Sequence, residues 1–412
     1  MSITGSSDRP RLVRSLGLTH SVLYGLGVTI GAGIYVLVGL AAGRSGLYSP
    51  VAFLIAGGLL LFSAASFAEL GTRMPVAASE AAYVDASFKR DWLTLSVGLL
   101  VVITASISAA TISVGSAGYL SVFLPIPLHF LITGVVLLMG LIACLATVQS
   151  VTFAGVMTLI EVGGLLLIIG AGFFAGPQII TRLPEAVPVF TVAAWSGVAG
   201  TALVAVFAFI GFEHLVNVSE EMKAPSYTLP RALFMTLGIT AALYALIVWI
   251  AVIAVPPSEL SKSYAPLALV FERLTGMPLM TMSSIAVIAT LNGIIVHMIM
   301  IARVLYGLAD VGRLPKVFAI VNHKTKTPVL ATIFGVIVIL LLAHVAPLTA
   351  LADMTARATL IIFTMVNLAL IRIKLKEVKP PKDIFLCPTW VPYLGFLSSV
   401  LLFIVSFVPQ VN

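Results

Sequence analysis

Charge is what this sequence has least of. Only 9% of its 412 residues are Asp, Glu, Lys or Arg, whereas a soluble domain carries about 25%. That shortage excludes a water-soluble globular protein. Cysteine is scarcer still: Cys144 and Cys387 stand alone, too few for a disulfide framework. The six histidines (20, 129, 214, 297, 323 and 344) show no metal-ligand spacing. No phosphate-binding glycine loop, paired-aspartate metal motif or Ser-His-Asp arrangement is present, so the sequence points to no enzyme, no cofactor, no metal and no ATP drive. The net charge of +7 does not mark a nucleic-acid binder, because the basic residues are scattered through connecting segments instead of gathered on an arm or a helix face.

What is present is apolar. Hydrophobic residues make up 60% of the chain and the mean hydropathy is +1.14. Runs of about 20 such residues read as membrane spans. They are continuous and do not alternate, which favours helices over a closed barrel. Eleven spans are expected, near 17–43, 50–72, 93–123, 128–147, 150–176, 194–221, 230–256, 279–308, 328–345, 348–372 and 390–408. The first exceeds the length of a signal peptide and reads as an uncleaved helix. With the N-terminus inside, eighteen of the 23 Lys and Arg fall in cytoplasmic segments. Outer loops then hold Arg44, Arg182, Lys262 and Arg273, and Arg357 lies within a span. This is the positive-inside pattern of a multi-pass protein of the cell (inner) membrane.

Two connections of similar length, 73–92 inside and 257–276 outside, each contain an amphipathic piece, AASEAAYVDASF and APLALVFERL. They occupy equivalent places in two halves of five spans, so the second half must be inverted. The expected division is a cytoplasmic segment at 1–15, a first repeat at 16–176, a second at 190–373, and a cytoplasmic loop with an eleventh helix at 374–412. The first span of each half carries an Ile-Gly pair at mid-depth, in VTIGAGIY (28–35) and FAFIGFEH (207–214). Glycine-interrupted spans in matching positions point to a transporter binding site, although small residues also serve simple helix packing. A break exposes helix ends, where free amides attract an anion and free carbonyls a cation. Amides of Ala32, Gly33 and Ile34 would then meet a carboxylate, and carbonyls of Phe207, Ala208 and Ile210 an ammonium. A zwitterionic amino acid carries both groups.

Two longer stretches, FAFIGFEHLVNVSEEMKAPSYTLPRAL (207–233) and ARVLYGLADVGRLPKVFAIVNHKTKTPVLA (302–331), together with TIGAGIY (29–35), resemble signatures of the amino acid–polyamine–organocation permease superfamily. The resemblance runs from about residue 15 to 408 and is strongest to bacterial permeases close to the cationic amino acid transporters. It implies an all-α, five-plus-five inverted-repeat transporter fold with broken helices 1 and 6. It also implies a substrate site at Thr29, Ile30, Gly31, Ala32, Gly33 and Ile34 on helix 1, and at Phe207, Ala208, Phe209, Ile210 and Gly211 on helix 6. Phe207 or Phe209 would cover the substrate. The family usually has twelve spans, and eleven are read here. The implied activity is amino acid import by alternating access, with protons as the coupling ion. Exchange of one amino acid for another, or sensing without transport, stays open.

Ionisable residues inside spans are costly and therefore functional candidates. Glu161, in VMTLIEVGGLLLIIG, lies roughly 15 Å into a ~30 Å core, where relatives that couple to protons carry a lysine. We expect it to exchange a proton during the cycle, near Val28, Thr290 and Asn292. Glu213 follows the second break and reads either as a dipole cap or as a proton-responsive gate. Glu69 reads as a snorkelling or loop-paired residue, and His297 as a packing residue. Asp353 and Arg357 are expected to form an i,i+4 pair. No acidic residue on helix 3 advertises a cationic substrate, which favours neutral amino acids. Oligomeric state is not legible.

Overall fold

The computed structural model describes residues 16–31, 33–75, 79–145, 151–381 and 383–408. Residues 1–15, expected as a cytoplasmic segment, lie outside the described residues, as does Ala32. Every apolar run forms helix, because a peptide in lipid must satisfy its own hydrogen bonds. The first run is interrupted, as α1 (Leu18–Ile30) and α2 (Ile34–Ser45). It is followed by α3 (Ser49–Arg73), α4 (Ser79–Phe88), α5 (Asp91–Leu120), α6 (Leu128–Leu145) and α7 (Val151–Phe174). A short α8 (Gln178–Thr181) leads to α9 (Val192–Phe209), whose first amides are capped by Thr191. Beyond α9 the sixth run does not resume as α-helix. Phe212–Glu221 winds as a 3-10 helix, a tighter form uncommon at this length.

The remaining elements are α10 (Pro225–Ala254), α11 (Pro257–Leu260), α12 (Pro266–Thr275), α13 (Leu279–Asp310), α14 (Val329–Val345), α15 (Leu348–Lys376) and α16 (Val391–Val405). Helix α12 ends at Gly276, whose φ of 72° gives the left-handed turn that closes a helix. Among the described residues, eight helical stretches are long and apolar enough to cross a membrane, and Leu18–Ile30, Val329–Val345 and Val391–Val405 are shorter apolar helices. Large aliphatic side chains stay exposed along α6 (Leu137, Leu138, Leu141) and α14 (Ile333, Ile337, Leu341). Such a surface suits lipid and would be an aggregation liability in water.

Packing repeats between the halves. Helix α1 lies against α10 and α7, and its counterpart α9 lies against α3 and α15. The amphipathic α4 packs on α5 and α15, while α12 packs on α13 and α7. Exchanging the first five spans for the second five turns each contact into the other. Helices α5 and α13, equivalent under that exchange, share an extensive interface at the centre.

Ionic ties fasten the periphery. Glu69 is fully buried and accepts from Arg73, from Lys374 Nζ (2.7 Å) and from the backbone amide of Cys387 (2.8 Å). It is thus paired to the loop before α16. Arg313, beyond α13, reaches Asp85 and Asp91, each at 3.0 Å. Asp353 and Arg357 do not pair. Asp353 holds Arg44 of α2, Nη2 to Oδ2 at 2.9 Å, while Arg357 donates to Ser406 and stacks on Phe407. The helical register permits the i,i+4 contact, but an arginine on another helix offers Asp353 a two-pronged partner.

Candidate functional site

The two breaks meet. At the first, α1 ends at Ile30 and α2 starts at Ile34, with Gly31 and Gly33 between. At the second, α9 ends at Phe209 and the 3-10 helix starts at Phe212, across Ile210 and Gly211. Gly211 has φ 127°, a conformation that L side chains rarely adopt. A Cβ there would stand 2.8 Å from the Thr29 Cα and from the Val28 carbonyl carbon. Reciprocally, a Cβ on Gly33 would overlap the Ala208 backbone, 2.9 Å from its carbonyl oxygen. Each broken helix therefore seats its glycine in the backbone of the other.

Tyrosines tie this junction together. The Tyr244 hydroxyl on α10 lies 3.0 Å from the Thr29 carbonyl and 3.1 Å from the Ala208 carbonyl, so one proton is shared between both breaks. Tyr119 donates to the Tyr35 carbonyl at 2.6 Å, and Tyr35 donates to the Glu161 carbonyl at 2.7 Å. Not all of the expected carbonyls are idle: Phe207 O accepts the Ile210 amide at 3.1 Å, and Ala208 O takes Tyr244. The Thr29 hydroxyl turns back to Gly25 O at 2.8 Å. Ile30 and Ile34 are fully buried, and so is Phe209, against Phe53 and Tyr244. Phe207 is likewise buried. At the start of α2, the first-turn amides have no partner within the helix by construction.

Glu161 stands at the first break. Its carboxylate oxygens would lie 3.1 and 3.2 Å from a Cβ on Gly31. Asn292 of α13 donates to Oε1 at 2.9 Å. Oε2 is buried and has no hydrogen-bond partner among the described residues. Thr290, another of the expected neighbours, bonds Ser116 at 2.9 Å instead. Glu213 caps the second break, its Oε2 accepting from the Gly211 amide at 2.9 Å.

Below the second break lies a small cavity of about 20 Å³. Ile210 and Glu213 line it with His214, His297, Ser108 and, from the connecting helix α4, Glu80. Of the expected substrate stretch, only Ile210 reaches this cavity. His297 bridges Gly293 O (2.8 Å) and Ser108 Oγ (3.0 Å). A carbonyl only accepts, so Nδ1 carries the proton and in the neutral ring Nε2 accepts the serine hydroxyl. Burial pushes the Glu80 carboxyl up from the ordinary carboxylate range. The tyrosines, Glu80 and His214 escaped sequence reasoning. Their one available signal was a polar residue in an otherwise apolar or small-residue stretch.

An all-helical membrane protein with two clasped, interrupted helices in mirrored halves has the five-plus-five transporter fold. The chain belongs to the amino acid permease family, whose model matches residues 16–412. It is 28% identical over 401 residues to "Cationic amino acid transporter 2, vacuolar" of Arabidopsis thaliana, covering 90% of this chain and 61% of that protein. It is 27% identical over 410 residues to "Branched-chain amino acid permease BcaP" of Bacillus subtilis, covering 94% and 86%. It is 26% identical over 404 residues to "Cationic amino acid transporter 4" of Mus musculus, covering 92% and 62%. The chain thus spans about three fifths of the plant and mouse proteins and most of the Bacillus one.

Proposed function

We propose that the chain is a secondary transporter that imports amino acids by alternating access, driven by protons. It would sit in the cell membrane with its N-terminus in the cytoplasm, the two inverted repeats moving against each other. The observation that carries this reading is the junction of the two breaks beside Glu161. The first turn of α2 offers amides to a substrate carboxylate, and the carbonyls around Ile210 offer acceptors to its ammonium. The relatives' names support amino acids as cargo and divide between cationic and branched-chain kinds.

Coupling rests on Glu161. A buried carboxyl with one oxygen unpartnered strongly disfavours its charge, so occupancy by a proton would follow the packing of Gly31 against it. Opening the first break would let water reach the group and release that proton. The test is uptake of a labelled amino acid mixture into proteoliposomes, with and without an inward proton gradient. Accumulation only with the gradient supports the reading. Uptake that needs internal amino acid, and ignores the gradient, replaces it with exchange. Binding without uptake replaces it with sensing.

A further inference from the structure

Acid is missing from one long stretch of the chain. Between Asp310 and Asp353 there is no Asp or Glu, while the connection from α13 to α14 holds Arg313, Lys316, Lys324 and Lys326. Arg313 is spent on Asp85 and Asp91. The three lysines are exposed, and their side chains form no ion pair or hydrogen bond among the described residues. Other exposed lysines on the same side have acids beside them. Lys89 lies between Asp85 and Asp91, Lys223 follows Glu220 and Glu221, and Lys376 and Lys379 flank Glu377. The α13–α14 connection is therefore a patch of uncompensated positive charge.

That patch is held in one shape. Asn322 Oδ1 accepts the amides of Lys324 (2.8 Å) and Thr325 (3.3 Å), and the Asn322 carbonyl accepts the Lys326 amide at 2.9 Å. Thr327 Oγ1 donates to Cys144 O at the end of α6, at 2.7 Å. Lys326 has φ 56°, in the left-handed region that glycine or asparagine ordinarily fills. The patch also lies where lipid-facing surface ends. Its 3-10 turn, Lys316–Ala319, is joined to α14 by Phe318 against Phe334, ring centres 5.5 Å apart. Exposed Leu330 and Ile333 begin the bare side of α14, and exposed Leu141 and Leu145 finish that of α6. Between the lysines, Val317, Ile320 and Val321 are 44%, 57% and 37% exposed. Bare aliphatic groups beside unpaired lysines match a bilayer interface, with hydrocarbon on one side and headgroup phosphates on the other. A wholly aqueous anion would leave the aliphatic groups uncovered.

Resting on the orientation proposed above, which sets this connection at the inner leaflet, we propose that residues 316–326 form a binding site for an anionic phospholipid. Its phosphate is taken between Lys324 and Lys326. Lys316 adds long-range attraction, and Val317, Ile320 and Val321 sit among the first acyl carbons. Basic residues close to an anionic bilayer surface are each attracted to it, and a zwitterionic headgroup offers no such net charge. Helices α5, α6, α13 and α14 pack on one another as a group. The lipid fastens that group to the inner leaflet through the connection between two of its members.

The test needs neither uptake nor a known substrate. The full chain in neutral detergent is titrated with short-chain phosphatidylglycerol, short-chain phosphatidylcholine or inorganic phosphate, and binding is read as a rise in melting temperature. Phosphatidylglycerol should stabilise the protein, and the other two should not. Lys324→Gln and Lys326→Gln should each weaken the apparent affinity about fivefold, and together about thirtyfold. Ile320→Ser should weaken it about fivefold. Lys379→Gln, on a connection that carries its own acids, should leave it within about twofold. Equal stabilisation by phosphatidylcholine overturns the proposal. Equal stabilisation by phosphate makes the patch an anion site only and overturns the lipid. A loss with Lys379→Gln as large as that with Lys326→Gln overturns it too, because the charge then acts diffusely. The leaflet is read separately, with a membrane-impermeant maleimide on intact cells. Ile320→Cys should stay unlabelled, and labelling overturns the inner-leaflet assignment together with the orientation. Failure of phosphatidylglycerol to bind overturns the lipid site alone.

Discussion

Asn292 donates to Glu161 Oε1 across 2.9 Å, while Oε2 of the same carboxyl faces Gly31 with no hydrogen-bond partner among the described residues. Half of the group is satisfied by a scaffold helix and half waits on the broken one. Glu161→Gln preserves the shape and removes the titration. Gradient-driven accumulation should fall by roughly tenfold or more, ~1.4 kcal/mol of driving interaction, while exchange of internal for external substrate persists. Unaltered accumulation in the variant would remove Glu161 from the coupling step.

Gly211 and Gly33 admit no side chain. Gly211→Ala combines a disfavoured φ with overlap on the backbone of α1, and should cost about 2–4 kcal/mol of stability. Gly33→Ala, where the overlap is with Ala208, should cost about 1–3 kcal/mol. Both should abolish uptake at temperatures where the protein remains folded. Thermal melts beside uptake assays separate the two effects. Normal transport by Gly33→Ala would show that the clasp opens in the working state.

Arg44 and Asp353 join α2 to α15, and Arg44 also donates to Gly200 O of α9 at 2.9 Å. Three helices are thus held at one end of the molecule. A double-mutant cycle of Arg44→Ala and Asp353→Ala should give a coupling energy of about 1–3 kcal/mol by thermal unfolding. The single variants should also raise labelling of a cysteine introduced at Thr201, which hydrogen-bonds Ser45 at the same end. Additive single effects with unchanged labelling would mean the pair does not latch these helices.

Burial lifts the Glu80 carboxyl above its usual 4.5. The folded state therefore keeps a proton that the unfolded chain has lost, and stability falls as pH rises from about that value through the raised one. Melting temperature measured against pH should show this decline, and Glu80→Gln should flatten it. A wild-type profile as flat as the variant's would place Glu80 in water.

Cys387 is held by Glu69 and Lys374, its amide donating to Glu69 and its carbonyl accepting from Lys374. Burial first, and the Glu69 carboxylate second, push its thiol up to about 12. In a Cys144→Ser background the protein should resist maleimide at pH 8. Glu69→Ala leaves Lys374 without its carboxylate while Arg73 keeps Glu377, costs about 1.5–3 kcal/mol, and should release the loop so that labelling becomes rapid. Fast labelling without that substitution would show that the loop opens on its own.

The spans were legible because a membrane imposes one rule on every residue of a run, and a glycine pair inside such a run is conspicuous. So was the place of Glu161, since a lone carboxyl in apolar sequence has few explanations. Partnership across the fold was not. Asp353 and Arg357 satisfy a local rule, yet each found something better on a distant helix, and no periodicity records a contact between residues 44 and 353. Glu80 was hidden for a related reason: α4 reads as a small amphipathic connector, and only its docking against α5 and α15 turns its acid inward. The 3-10 winding of Phe212–Glu221 follows from tertiary packing around the second break, which local propensity does not encode.

The clasp of Gly33 and Gly211 is made of main chain pressed against main chain. A contact between peptide groups survives every substitution that spares those two glycines. A lineage can therefore vary the side chains around the junction without renegotiating the backbone contact at its centre.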